Sequence, residues 1–260
     1  MDSNESCEKL FEIKTVQANA IRILCEALKD ILTDVNLQIT TEGLKIMSMD
    51  GSKAAVINLK LEASKFEYYY CVNNIKAGLN MTSLHKIIKS IKNNDTLKLY
   101  INKHEPNKLC IEIQNKEKKT LILTVLKLLD IDEDILEIPN IEFDNVITMP
   151  SNDFQSYIRE LSIITNKIRI KSDDSKFILY GIGDFAETSI TVGESTKHIT
   201  DRKINIESEL FNIKYLLLFT KSTNLCTTVE IYLKNNFPLI LIYNVANLGK
   251  LQYCLAPLVE

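Results

Sequence analysis

The sequence contains no tryptophan and only three histidines, five prolines and seven glycines among 260 residues. Without tryptophan, the chain has little aromatic surface on which single-stranded nucleic acid could stack. The few glycines and prolines form no flexible linker of the Gly/Ser type. No apolar run reaches the length needed to span a membrane, and the polar segment Met1 to Lys9 lacks the apolar core of a signal peptide. We therefore expect no membrane association.

Signatures of catalysis and metal binding are also missing from the sequence. The six cysteines are scattered with no C-x-x-C pair, which excludes the usual zinc and thioredoxin-like spacings and favours reduced thiols. No phosphate-binding loop, dinucleotide fingerprint or G-x-S-x-G elbow occurs. The acidic run Asp130 to Asp134 lacks the glycine and the distal glutamate of a calcium loop. These absences predict a protein without cofactor, metal or catalytic activity.

A hydrophobic fraction of 45% and a charged fraction of 25% are typical of a globular chain with a substantial core. The net charge of −3 means that any DNA-binding surface requires basic residues gathered on one face. The clearest break in the sequence is Lys127 to Phe143, where six acids accompany one lysine and Pro139 excludes a continuous helix. This segment predicts an extended, acidic connector whose apolar residues lie against the protein.

Two pairs of segments resemble each other on either side of this connector. Phe11 to Ile46 and Asn145 to Tyr180 each predict strand, helix, strand, turn and strand, while Gly78 to Gln114 and Ser208 to Val245 each predict a helix followed by two strands. The four predicted helices are Ala18 to Leu32, Met81 to Lys92, Ser151 to Ile164 and Glu209 to Lys221. Recurrence in matching order indicates two domains of like fold, with helices on one face of antiparallel sheets in an α+β layout.

Positive charge recurs on all four predicted helices. One helix has a basic cluster and no acid: His85, Lys86, Lys89 and Lys92. The other three helices contribute further cations: Arg22, Lys29, Arg159, Lys214 and Lys221. On one helix such residues would be ordinary solubilising charge, but their recurrence favours an anionic partner such as DNA. The chain has no recognition helix rich in Arg, Asn and Gln, so the pattern predicts attraction to phosphates without sequence preference.

Short motifs distributed along the chain resemble those of the proliferating cell nuclear antigen family, the eukaryotic sliding clamps, from about Phe11 to Glu260. The motifs, in order, are EALKD (Glu26 to Asp30), SMD (Ser48 to Asp50), NMTSLHKIIK (Asn80 to Lys89), KLLDID (Lys127 to Asp132), IP (Ile138-Pro139), MPS (Met149 to Ser151), FTKST (Phe219 to Thr223) and LAP (Leu255 to Pro257). Each motif is weak alone, and together they are specific.

This resemblance implies a DNA clamp fold in which two similar domains, each with two helices on antiparallel sheets, assemble into a homotrimeric ring. The helices would line the hole and the sheets would form the rim. The expected division is an N-terminal extension over 1–10, an N-terminal clamp domain over 11–126, the interdomain connector over 127–144 and a C-terminal clamp domain over 145–260. A closed ring cannot leave a long duplex by losing contacts, so weak, sliding phosphate contacts would suffice.

The family pattern also implies roles for individual residues. Cations expected to face duplex DNA are Arg22, Lys29, Lys86, Lys89, Lys92, Arg159, Lys214 and Lys221. Ile23 stands where the family usually has a basic residue, and Ile163 stands where it often has a histidine. Both differences imply a weaker positive field inside the ring. Ring closure would pair edge strand Thr120 to Lys127 with edge strand Ala186 to Gly193 of the next subunit. The corresponding interface residues are Leu121, Leu123, Val125, Thr188, Ile190 and Val192.

In the family, partner proteins insert a short motif with a glutamine and two aromatic residues into a pocket beneath the connector. Residues at the matching positions are Met49, Ala54, Leu136, Ile138, Pro238, Cys254, Ala256 and Pro257. Cys254 stands where the family often has a tyrosine, and Lys53 stands where it often has a histidine, so both bear on the affinity for the usual motif.

The implied function is a processivity clamp that encircles double-stranded DNA and tethers DNA polymerase and other replication and repair proteins. Its implied partners are DNA without sequence specificity, the polymerase, a clamp loader and other proteins with the short motif. Its implied location is the nucleus, or the replication compartment of a host cell if the source is a virus. Two alternatives remain: a checkpoint-type clamp subunit that forms a heterotrimer, and an α+β binding protein that is not a clamp.

Overall fold

The computed structural model describes residues 8–132, 142–143, 145–173, 176–193, 197–198 and 206–258. The chain divides into two compact units. The first unit takes its described residues from Met1–Ser48, Leu59–Ile135 and Val245–Gly249, and the second takes them from Met49–Asn58, Leu136–Asn244 and Lys250–Glu260. Each unit is therefore built mainly from one half of the sequence and includes a short segment from the other half. The domain limits expected from the sequence follow chain order and stay a prediction.

The first unit contains helices α1 (Ala18–Leu28) and α2 (Met81–Ile88). Its strands in chain order are β1 (Lys9–Thr15), β2 (Asp34–Thr40), β3 (Gly43–Met49), β4 (Ala55–Glu62), β5 (Tyr68–Cys71), β6 (Ile75–Asn80), β7 (Asp95–Asn102), β8 (Lys108–Asn115) and β9 (Thr120–Lys127), although the last residue of β3 and the first four of β4 belong to the second unit. One antiparallel sheet has the order β5-β1-β7-β8-β9, and β4-β3-β2-β6 are neighbours in that order in a second sheet.

Alternation of apolar and polar residues determines which sheet face is buried in this unit. Along β1, Phe11, Ile13 and Thr15 are buried, while the intervening Glu12 and Lys14 are not. The turn between β2 and β3 requires a glycine because Gly43 has a φ of 146°, and a Cβ there would lie 1.9 Å from the carbonyl oxygen of Leu61. A side chain at this position would therefore push β3 away from β4.

The second unit contains helices α3 (Ser151–Ile164) and α4 (Ile213–Phe219), and a 3-10 turn over Thr220–Leu225 continues α4. Its strands are β10 (Asn145–Pro150), β11 (Lys167–Asp173), β12 (Lys176–Ile182), β13 (Glu187–Val192), β14 (Lys197–His198), β15 (Ile206–Asn212), β16 (Thr228–Leu233), β17 (Leu239–Val245) and β18 (Gly249–Leu255). Its sheets have the orders β13-β12-β11-β15 and β14-β10-β16-β17-β18.

Aromatic and aliphatic side chains fill the core of the second unit. Phe154, Ile158 and Leu161, at intervals of four and three along α3, are fully buried. Phe219 at the end of α4 stacks on Tyr253 of β18, with ring centroids 4.3 Å apart and planes 13° apart. Each such side chain contributes about 1.5–3 kcal/mol through burial. The α+β layout predicted from the sequence, with helix pairs on antiparallel sheets, is confirmed within the described residues.

The structure corrects four of the predicted helix limits, since α4 also ends at Phe219 rather than Lys221. α1 ends at Leu28 rather than Leu32, and α2 ends at Ile88 rather than Lys92. α4 begins at Ile213 rather than Glu209, because residues 209–212 complete strand β15. Asn212 ends the strand and starts the helix, since its side-chain oxygen accepts a hydrogen bond of 3.0 Å from the backbone N–H of Lys214. Hydrophobic spacing alone does not reveal such a cap.

Candidate nucleic-acid interface and partner-binding residues

The two helices of the first unit pack side by side and direct cations away from the core. α1 and α2 are in direct contact. Their apolar residues, such as Leu24 and Leu84, are buried, whereas Lys86 and Lys89 are exposed. Lys89 caps the C-terminus of α2, and Lys92 is exposed three residues further on. We call this surface, with Arg22, Lys29, Lys86, Lys89 and Lys92, the first basic face.

The pKa of His85 on α2 depends on the charges of the first basic face. Burial lowers the pKa of this imidazole, and the positive charges of Lys29, Lys89 and Arg22 lower it further, while Glu26 opposes them. Side chains from both helices therefore act on one point. The lowered pKa means that His85 is neutral at pH 7, so the permanent charge of this face comes from the lysines and the arginine.

Acidic neighbours partly neutralise two cations on the first basic face. Arg22 donates from Nη1 to Glu26 over 3.0 Å and from Nε to the side-chain oxygen of Asn19 over 2.9 Å, while the Lys29 ammonium lies 2.9 Å from the Asp30 carboxylate. Lys86, Lys89 and Lys92 form no ion pair within the part of the chain that the structure describes. The lysines on and after α2 therefore dominate the free positive charge of this face.

The helices of the second unit carry fewer cations. α3 and α4 pack against each other. Arg159 on α3 and Lys214 on α4 are exposed, and Lys221 is exposed in the 3-10 turn that follows α4. α3 also carries the exposed acids Asp153 and Glu160. We call the surface with Arg159, Lys214 and Lys221 the second basic face. Its charge is sparser than that of the first, although its helices have the equivalent place in the fold.

Three of the residues predicted to form a partner pocket lie at or next to a single loop of the second unit. The loop follows β3 and places Met49 at its start and Ala54 at its end. The carbonyl oxygen of Ala54 accepts a hydrogen bond of 2.9 Å from the backbone N–H of Ala256. The structure thereby joins two of the predicted positions directly.

The predicted pocket residues outside the loop differ in their exposure. Pro238, Cys254 and Pro257 are half-buried, and Ala256 is exposed. Burial raises the pKa of the Cys254 thiol, so this cysteine is a neutral, apolar side chain at pH 7. Leu136 and Ile138 lie outside the described residues.

The carboxylate of Asp50 organises the pocket loop, a role that the sequence analysis missed. Its Oδ1 accepts from the backbone N–H groups of Ala54 (2.8 Å) and Ala55 (2.6 Å). Its Oδ2 accepts from the N–H and hydroxyl of Ser52 (3.0 and 2.5 Å) and from the Tyr215 hydroxyl (2.7 Å). Burial raises the pKa of Asp50, but these hydrogen bonds outweigh it and leave the pKa below its ordinary value.

The hydrogen bonds to Asp50 stabilise a strained backbone conformation in the loop. Lys53 has a φ of 59°, a left-handed conformation that costs a non-glycine residue about 1–2 kcal/mol. The hydrogen bonds from residues 52, 54 and 55 bracket Lys53 and offset that cost. The SMD motif contains Asp50, but the sequence gives no sign that Tyr215 is a partner, since 165 residues separate the two.

The strands predicted to form the subunit interface lie at sheet edges. β9 is the last strand of the five-stranded sheet, and β13 is an end strand of the four-stranded sheet. Leu121, Leu123 and Val125 are 61%, 53% and 48% exposed. They pair in register with Gln114, Glu112 and Cys110, on the sheet face opposite the core residues Ile111 and Ile113.

The predicted interface residues of β13 lie on the same sheet face as buried core residues, unlike those of β9. Thr188, Ile190 and Val192 pair with Gly181, Leu179 and Phe177, all of which are buried. They are half-exposed and continue the apolar face of their sheet to its edge. Both predicted edges therefore present apolar side chains next to unpaired backbone groups, as an interface strand requires.

The described residues also bear on metal binding and membrane insertion. In these ranges, no three His, Cys, Asp or Glu side chains lie close enough together to hold a metal ion. No described helix is both long and apolar enough to cross a membrane.

Comparisons with known proteins agree with the fold. The model of the proliferating cell nuclear antigen N-terminal domain matches residues 10–136, and that of the C-terminal domain matches residues 137–258. A probable DNA polymerase sliding clamp from Paramecium bursaria Chlorella virus 1 is 36% identical over 256 residues, which cover 96% of this chain and 98% of the relative.

Two cellular relatives are similar over the same extent. A proliferating cell nuclear antigen from Chaetomium thermophilum is 31% identical over 255 residues, and one from Caenorhabditis elegans is 30% identical over 258 residues; each match covers 98% of the relative and at least 95% of this chain. The fold is therefore that of a DNA clamp. The chain belongs to the proliferating cell nuclear antigen family and contains both of its domains.

Proposed function

We propose that this protein is a DNA sliding clamp, a ring that encircles duplex DNA and tethers DNA polymerase and other replication and repair proteins. Membership of the family and the names of the relatives support this function. The observation that carries the proposal is the recurrence of exposed cations on the paired helices of both units, while the chain as a whole is acidic, with a net charge of −3.

The chemistry of these faces suits non-specific contact with a duplex. Lysine and arginine side chains attract phosphates whatever the base sequence, and their contribution falls steeply with added salt. Partial neutralisation of Arg22 and Lys29 by acids keeps the attraction weak. Weak contacts suit a clamp, since retention comes from the closed ring and tight contacts would slow its movement along DNA.

Ring closure would use β9 of one subunit and β13 of the next. Such a head-to-tail contact forms a ring when the rotation between subunits closes, and a homotrimer is typical of the family. Leu121, Leu123 and Val125 from one edge, and Thr188, Ile190 and Val192 from the other, would be covered on assembly. Pairing would also satisfy the backbone groups along both edges.

Partner proteins would bind at the pocket loop through a short motif with a glutamine and two aromatic residues. Met49 and Ala54, at the two ends of the loop, would contribute to this surface together with Ala256 and Pro257. Cys254 and Lys53 replace the tyrosine and histidine that the family often has, so the preferred motif is expected to differ in its aromatic contacts. The nucleus, or a viral replication compartment, is the expected location.

A topological experiment tests the proposed function. The protein is loaded on DNA with a clamp loader and ATP, and retention is then measured at high salt on closed circular and on linear duplex. A clamp stays on the circle and escapes from the ends of the linear molecule. Equal release from both forms of DNA would contradict encirclement, and equal retention on both would indicate ordinary binding.

A further inference from the structure

The Tyr215 side chain links helix α4 to the pocket loop. Its hydroxyl donates to Oδ2 of Asp50 over 2.7 Å and also contacts the Ser52 hydroxyl. Its ring lies against Phe219, with centroids 6.2 Å apart, so the phenol is anchored in the core of the second unit. Burial and the Asp50 charge raise the pKa of Tyr215, which keeps the donor protonated at pH 7.

Asp50 connects Tyr215 by hydrogen bonds to the surface that would hold a partner peptide. Asp50 as a whole residue is only 8% exposed, and its other carboxylate oxygen accepts from the N–H groups of Ala54 and Ala55. Ala54 in turn accepts the backbone N–H of Ala256. A continuous chain of hydrogen bonds therefore runs from α4 through one buried carboxylate to two predicted pocket residues.

The same helix contributes to the second basic face. Lys214, next to Tyr215 in sequence, is exposed on α4, and Lys221 follows in the 3-10 turn. α4 therefore carries residues for both proposed activities. A movement of α4 would change the position of the Tyr215 hydroxyl relative to Asp50, and with it the loop.

We propose that Tyr215 is a positioning residue for the partner-peptide pocket, acting through Asp50 and coupling the pocket loop to the basic helix α4. The inference rests on the proposed partner-binding function. Tyr215 would not touch the peptide itself. Its hydrogen bond selects the loop conformation in which the 54–256 contact forms, so that the pocket is preformed before the partner arrives.

A double-mutant cycle tests this role. The probe is a synthetic, fluorescein-labelled peptide with a glutamine and two aromatic residues, and fluorescence anisotropy gives its Kd for the full-length protein. Tyr215→Phe, which removes only the hydroxyl, is expected to weaken binding about fivefold, and Asp50→Asn about tenfold or more. In the Asp50→Asn background, Tyr215→Phe should have little further effect, because the amide nitrogen that replaces Oδ2 cannot accept a hydrogen bond from the phenol.

Control variants separate positioning from general stability. Tyr69→Phe removes another partly buried phenol donor, which bonds the carbonyl oxygen of Thr40 over 2.5 Å in the first unit; it should lower Tm without changing peptide affinity. If Asp50→Asn does not fold, Ser52→Ala replaces it in the cycle, since the Ser52 hydroxyl bonds the same carboxylate oxygen and also contacts the Tyr215 hydroxyl, so the two substitutions should couple.

The possible outcomes separate the inference from the proposed function. Failure of the wild-type protein to bind the peptide would overturn the partner pocket, and the inference with it. Wild-type binding that Tyr215→Phe leaves unchanged, or effects that simply add in the cycle, would overturn the inference alone. Weaker binding in Tyr215→Phe, non-additivity with Asp50→Asn and no effect of Tyr69→Phe would together support it.

Discussion

The two units share an architecture of paired helices on antiparallel sheets, yet they use it differently. The first unit concentrates cations on one face, with Lys86, Lys89 and Lys92 free of ion pairs among the described residues. The second unit has a sparser basic face that includes two acids on α3, but it holds the loop organised by Asp50. Two units with the same layout of helices and sheets can thus differ in their surfaces, and we propose that the first contributes more to DNA contact while the second holds the partner-binding loop.

The two units differ in surface charge because the fold restricts the residue type at core positions but not at exposed positions. Core positions of both helix pairs must be apolar, as Leu24 and Phe154 are, because burial stabilises each unit. Exposed positions contribute little to stability, so their charge can vary between the units at almost no energetic cost. The hydrogen bonds of Asp50, in contrast, depend on a particular loop and a particular tyrosine.

The largest expected effect comes from placing charges at the two predicted interface edges. Leu123→Asp/Val125→Asp in the first unit and Ile190→Asp/Val192→Asp in the second should each abolish the ring, because the new carboxylates would be desolvated in the interface. Size-exclusion chromatography with light scattering should find monomers for each variant.

Mixing the two interface variants sharpens the comparison between the edges. In a head-to-tail assembly, the intact β13 edge of one variant can still pair with the intact β9 edge of the other, which gives heterodimers but no closed ring. Rings in the mixture would contradict the head-to-tail arrangement. A heterotrimeric, checkpoint-type clamp would instead give no homotrimer of the wild-type protein.

The second largest effect is expected on the affinity for duplex DNA, where cations without an ion pair among the described residues should matter more than paired cations. Lys86→Gln/Lys89→Gln should reduce binding to a short duplex more than Arg22→Gln/Lys29→Gln, since Glu26 and Asp30 already offset the latter pair. Each phosphate contact that is lost lowers the slope of log K against log salt by about 0.9. Anisotropy titrations over a range of salt measure the slope.

Both double variants change the charge equally, so they serve as matched controls for each other. The same substitutions of Arg159 and Lys214 extend the test to the second basic face. Thermal unfolding should change little in any of these variants, because exposed charges contribute little to stability. Equal loss of affinity from paired and free cations would show that ion pairing does not set the field of the first basic face.

A smaller effect is expected on the stability of the second unit. Asp50 has a lowered pKa when folded, so its stabilisation is complete above the pKa of an unfolded aspartate, about 3.9, and is lost as the pH falls through the lower folded value. Asp50→Asn should reduce the free energy of unfolding by about 1–3 kcal/mol at pH 7.

Denaturant titrations of the wild type and Asp50→Asn measure this difference across pH. The gap should narrow below about pH 4, where Asp50 of the unfolded wild type begins to take up a proton that the folded carboxylate still resists. A gap that stays constant down to pH 2 would mean that the charge of Asp50 is not what the loop requires. Tyr69→Phe serves as the control variant whose effect should not depend on pH in this range.

Sequence reasoning predicted local features better than distant contacts. The existence of α1 and α3 follows from apolar residues at intervals of three and four along each predicted helix. The start of α4 was wrong because an asparagine cap, rather than hydrophobicity, ends β15 there. The bond between Asp50 and Tyr215 depends on tertiary packing, and no periodicity encodes it.

The smallest expected effect is a change in the pKa of His85, which measures the field on the first basic face directly. Glu26 favours the protonated imidazole and Lys89 disfavours it, so Glu26→Gln should lower the pKa and Lys89→Gln should raise it, each by less than about one unit for partly exposed charges. NMR titration of the ring protons measures both shifts. Binding of a short duplex should also raise the pKa, since phosphates stabilise the imidazolium, whereas the same DNA should have no such effect if this face points away from it. An unchanged value in all three experiments would mean that the cations do not converge on His85, and the contrast between the two units would then lose its electrostatic basis.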